Sequence, residues 1–68
     1  MAQIGFYSGG NLIDESAVTS SNLEFNRDRI ATEAQELADE CGCDIEAWQQ
    51  DDNGAQVSHT GIIAKPAN

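Results

Sequence analysis

The chain has 68 residues, which bounds it to a single domain over residues 1–68. A domain of this size buries only about 60% of its unfolded surface, and its two cysteines exclude a disulfide scaffold, so self-association is the expected support. Twelve acids against three bases leave a net charge of -9 spread along most of the chain. Direct binding to nucleic acid or to anionic lipid is therefore not expected, because phosphate contacts need Lys and Arg. No run of 18 apolar residues offers a membrane span, and the N-terminus lacks the basic-then-apolar pattern of an export signal. With two closely spaced thiols, the expectation is a reducing cytosol.

Residues 3–8, QIGFYS, read as a strand with Ile4 and Phe6 on one face and Gly5 and Tyr7 on the other. GGN at 9–11 is a turn. LIDESAVTSS after it is undecided between a second strand, a loop and one short helical turn; its Ser and Thr cluster at 19–21 favours loop, so segment 9–21 reads as loop or irregular. NLEF at 22–25 reads as a short strand with Leu23 and Phe25 inward.

A helix follows. Asn26 is a good N-cap, and Asp28 lies in the first turn, where negative charge meets the helix dipole favourably. Ile30, Ala34, Leu37, Ala38 and Cys41 draw one apolar stripe at helical spacing. Arg29 precedes Glu33 by four residues and is placed to pair with it. Gly42 stands where a left-handed C-terminal residue is wanted.

CDIEAWQQ, residues 43–50, alternates, with Cys43, Ile45 and Ala47 on one face and Asp44, Glu46 and Trp48 on the other. Asn53-Gly54 signals a tight hairpin turn. Residues 55–64 form the return strand, and Gly61 marks a bulge. Pro66 ends regular structure, so residues 65–68 read as a flexible C-terminus. The expected fold is α+β, with a single helix packed on one face of a small antiparallel sheet in the order β-(β)-α-β-β. The other sheet face has no second layer.

Catalysis is not expected. No serine or cysteine is tied to His59 and an acid by a local motif, YSGGN is not a phosphate loop, and the chain is too short to enclose a deep pocket. Asp51, Asp52 and Asn53 suggest calcium, but their loop lacks the terminal bidentate Glu. No cofactor is implied. Cys41, Cys43 and His59 are three zinc-ligand types, one short of a closed site. The thiols sit at a helix end, where the dipole raises a thiol pKa instead of lowering it. The favoured reading of Cys41 and Cys43 is two buried small residues flanking a helix C-cap.

Trp48 and Tyr7 carry the functional expectation. Both are placed on the open sheet face beside Asp44 and Glu46, and Trp and Tyr are typical interface anchors. The leading reading is a noncatalytic protein-interaction module, a homodimer through that face. A second is an acidic inhibitor that occupies a basic, nucleic-acid-binding groove of a partner protein through Asp28, Glu33, Glu36, Asp44 and Glu46. The acidity also fits adaptation to high salt or plain solubility.

The stretch A..AQELADECGCDIEAW followed by DNGAQV resembles small uncharacterised βαββ domains of prokaryotes and their viruses. Some small phage-encoded inhibitors of bacterial defence are similar in size and topology. The resemblance implies an interaction protein without catalysis and assigns no residue a role.

Overall fold

The computed structural model describes residues 3–67, so Met1, Ala2 and Asn68 lie outside it. Four strands and one helix follow in the order β1 (Gln3–Ser8), β2 (Asn11–Thr19), α1 (Arg27–Cys41), β3 (Ile45–Gln50) and β4 (Gln56–Ala64). The strands form one antiparallel sheet in spatial order β2-β1-β3-β4, and α1 packs across one face. This is the expected α+β arrangement. No helix among the described residues is long and apolar enough to cross a membrane.

The core lies between sheet and helix. Ile4 and Phe6 of β1, Val18 of β2, Ile45 and Ala47 of β3 and Ala64 of β4 meet Ile30, Ala34 and Ala38 of α1. Alanines stand on both layers, and Phe6 and the isoleucines are the largest fully buried side chains between them. The stripe has the predicted phase at Ile30, Ala34 and Ala38, and Leu37 packs on its margin. Cys41 departs from it and is exposed. Gly42 closes the helix in the left-handed region (φ 66°), its N–H donating to the Ala38 carbonyl. Asn26 stands at the N-cap, yet its side chain donates to the Asn22 carbonyl and caps no helical N–H.

Two local expectations are corrected. Within residues 9–21, Asn11–Thr19 is a nine-residue strand. Gly9 and Gly10 both take positive φ (58° and 84°), the combination a two-residue hairpin needs, and the ladder to β1 then extends the chain despite its weak local preference. Residues 22–25 are not a strand. Two 3₁₀ turns, Ser20–Asn22 and Glu24–Asn26, carry the chain from the sheet edge to α1. At three residues per turn, residues two apart cannot share a face. Leu23 is accordingly buried while Phe25 is 90% exposed. Of the expected flexible C-terminus, Asn68 lies outside the described residues, and 65–67 run beside α1, where Gln35 Nε2 donates to the Lys65 carbonyl (2.6 Å) and the Ala67 N–H donates to Asp39 Oδ1 (2.9 Å).

The β3–β4 connection is also wider than an Asn-Gly turn. Such a turn needs positive φ at both central residues, and among the described residues only glycines have it. Asp51 organises a longer loop instead. Its Oδ1 accepts from the N–H groups of Asn53 (2.8 Å) and Ala55 (2.9 Å), and its own N–H donates to the Ala55 carbonyl. Gly61 does mark an irregularity, at φ 87°, where the β3–β4 register shifts. Thr60 Oγ1 stitches it by donating to the Ala47 carbonyl (2.7 Å) and accepting from the Ile62 N–H (3.2 Å). Arg27 reaches over from α1 to donate to the Thr60 carbonyl at 2.7 Å.

Candidate functional site

Antiparallel partners share a face, so the register assigns the side of the sheet that the helix leaves bare. Leu12, Tyr7, Glu46 and Ile63 form one cross-strand row, and Glu15, Gly5, Trp48 and His59 form the next. Trp48 therefore lies opposite the buried Ile45 and Ala47, as alternation requires, and is half-buried. Leu12 (48%) and Ile63 (57%) are exposed on the same face.

Trp48 is held by a small network. Its ring meets the His59 imidazole edge to face, with centroids 4.9 Å apart. Glu46 Oε1 accepts from Trp48 Nε1 (3.3 Å) and lies 3.0 Å from His59 Nε2. The Gly61 N–H donates to His59 Nδ1 at 2.8 Å, which leaves the ring proton on Nε2, directed at Glu46. The Gly61 irregularity thus aims a backbone donor at the histidine, and the histidine orients the carboxylate that positions the indole.

Tyr7 lies on the expected face but is not a free anchor, since it is only 5% exposed. Its hydroxyl accepts from Gln50 Nε2 (2.9 Å) and lies 3.5 Å from the Gly54 carbonyl. Both side chains occupy space that a residue larger than glycine would fill. A Cβ on Gly5 would stand 2.5 Å from Gln50 Nε2 and 2.8 Å from Tyr7 Cε1. Gln50, itself buried, was missed by sequence reasoning; a glycine inside a strand signalled such a close approach. Leu12 and Ile63 were missed as well. Leu12 lay in the undecided segment, and Ile63 follows a bulge that resets its phase.

Asp44 departs from expectation. It precedes β3, is exposed and belongs to neither row. The acids Asp28, Glu33, Glu36, Asp44 and Glu46 do not form one face either. Glu46 is on the sheet side, and Asp28 shares a helix flank with Gln35 and Asp39, which meets the C-terminal segment. Glu33 and Glu36 instead join Asp14, Leu37 and Glu40 around a shallow groove of about 220 Å³ between α1 and β2. Glu33 is anchored there by Ser16 Oγ (3.3 Å) and by Arg29 Nε (3.5 Å), the helical pair expected from spacing.

Cys41 and Cys43 are free thiols, one exposed and one packed against the core. Partial desolvation of the Cys41 sulfur, then the Cys43 thiol and Glu40 beside it, pushes its pKa above the usual thiol value. That is the reverse of an activated cysteine. His59 is committed to Glu46 and Gly61 on the bare face, and the three potential ligands are not gathered. Among the described residues no group of three or more His, Cys, Asp or Glu side chains is placed to hold a metal ion. Comparison with protein-family models, with curated proteins and with solved structures finds no match to this chain.

Proposed function

We propose that this chain is a small noncatalytic interaction module that pairs with a second copy of itself through the helix-free face of its sheet. The observation that carries the reading is Trp48, half-buried on that face, with Leu12 and Ile63 exposed at the two ends of the neighbouring cross-strand row. Its indole N–H is already satisfied by Glu46, so covering the face strands no donor. Charge segregation supports a like partner. Glu33, Glu36, Glu40 and Asp14 lie on the helix side, where two copies back to back on their sheets keep them apart, and of the carboxylates in the rows of the sheet face, Glu15 and Glu46, the second is bonded to Trp48 and His59. Size supports it too. A standard interface buries about 800 Å² per partner, and a body 34 Å by 24 Å along its longer axes has a broad face of that order. Two free thiols suit a reducing cytosol. The resemblance to small prokaryotic and viral βαββ domains points the same way.

Sedimentation equilibrium tests the reading. Wild type is expected to approach twice its 7.3 kDa monomer mass with rising concentration. Trp48→Ala, which leaves the core untouched, is expected to weaken the dimer roughly thirtyfold or more, the loss of one interface hot spot. A wild-type chain that stays monomeric at about 200 µM, a concentration that populates even weak dimers, overturns it. That result would favour the second reading, an acidic inhibitor seated on a basic surface of another protein. The groove that joins Asp14 to Glu33, Glu36 and Glu40 is the feature that favours this alternative.

A further inference from the structure

We infer that His59 is a pH-sensitive latch on the Trp48 face, closed while its imidazole is neutral and opened by protonation. The latch rests on bonds within one chain, so it stands or falls separately from self-association.

The geometry admits one ring tautomer. Nδ1 accepts the Gly61 N–H (2.8 Å), so it carries no proton, and Nε2 faces Glu46 Oε1 (3.0 Å) as donor. A second proton on the ring has only Nδ1 to occupy. There it would point at the Gly61 N–H, setting donor against donor. Protonation therefore breaks the Gly61 bond, although it strengthens the attraction to Glu46. The ring must turn about its Glu46 contact, away from the bulge. The edge-to-face geometry with Trp48, 4.9 Å between centroids, changes with it.

The groups facing His59 set the electrostatics. Glu46 from β3 lies 3.0 Å from Nε2, with Tyr7 beside it in the same row on β1. Glu15 of β2 ends the Trp48–His59 row. From α1, the Arg27 guanidinium bonds the adjacent Thr60 carbonyl and stands 3.5 Å from where a Gly61 Cβ would be. That bond holds the far side of the bulge. Imidazole is the side chain whose charge ordinarily changes between about pH 5 and 8.

The chain has one tryptophan and one histidine, so each signal has a single source. The test combines tryptophan emission with hydrogen exchange at the Gly61 amide, both followed from about pH 8 to pH 5 across the imidazole range. In wild type, emission is expected to change in a one-proton step. Gly61 protection, corrected for intrinsic exchange, is expected to fall about tenfold over the same step, the counterpart of one lost hydrogen bond. His59→Asn is the informative variant. An Asn side-chain oxygen accepts from the N–H two residues on, as in an Asx turn, and does not titrate. It should keep Gly61 protected and the emission flat throughout. Unchanged protection in wild type, or the same step in H59N, overturns the proposal. If H59N loses its helical circular dichroism, imidazole ¹⁵N shifts in wild type decide: Nδ1 bearing the proton at about pH 8, where the free ring is neutral, overturns it, and Nε2 bearing it supports it.

Discussion

Gly5 sits in a central strand, where glycine is ordinarily a weakness. Here the missing side chain is occupied. The Tyr7 ring and the Gln50 amide cross the space above it, and the amide donates to the Tyr7 hydroxyl beneath the hairpin loop. Gly5→Ala is therefore expected to lower stability by about 1–3 kcal/mol, the range for forced overpacking. Urea unfolding would check this through a lower midpoint at unchanged slope. Gly61 is a different case. Its φ of 87° is what lets its N–H turn back to His59, so its role is conformational and not steric. These two glycines explain why Tyr7 is consumed locally while Trp48 stays half-open. Sequence alternation assigned both aromatics to the correct face, but it carries no information on which of them neighbouring side chains cover.

Among the elements, α1 was the most legible because its signals are local. A 3.6-residue period and a left-handed glycine at its end need no knowledge of the sheet. The β3–β4 connection shows the limit of local reading. Asn53-Gly54 has the composition of a tight turn, yet Asp51 captures the N–H groups of Asn53 and Ala55 and closes a longer loop. Asp51→Ala is expected to cost about 1–2 kcal/mol by leaving those donors without their acceptor. Asn53→Ala should cost little, because Asn53 does not take positive φ. Thermal melts of the two variants would separate the Asp51-capped loop from an Asn-Gly turn. β2 is the opposite of α1. Its local preferences are weak, and its existence depends on β1 lying alongside to accept the ladder.

At the scale of the molecule, charge and layering act together. The net charge is -9, twelve acids against three bases, and two of those bases pair with Glu24 and Glu33, so acids far outnumber the cations that could balance them. Screening that repulsion should stabilise the fold. Raising sodium chloride from about 20 mM to 500 mM is expected to lift the melting temperature by roughly 4–8 °C, equivalent to about 1 kcal/mol in a domain of this size. Differential scanning calorimetry reads it, and a midpoint that falls with salt would count against charge repulsion as a destabilising force. The same layering gives the proposed function its form. The helix side carries the acidic groove and the docked C-terminal segment, and the sheet side carries Trp48 with exposed apolar neighbours.

What the amino-acid order alone determined was whatever repeats over a few residues: the helix with its Gly42 end, the alternation of β1 and β3, and the opposition of Ile45 to Trp48. Each follows from backbone periodicity, which a short window contains in full. Only the tertiary structure decided the rest. The second strand, the burial of Tyr7 under Gln50, the meeting of Asp14 with the helix glutamates and the bond from Gly61 to His59 all depend on cross-strand register. Register is a long-range property, set by which partner strand the chain meets and where each bulge shifts the pairing.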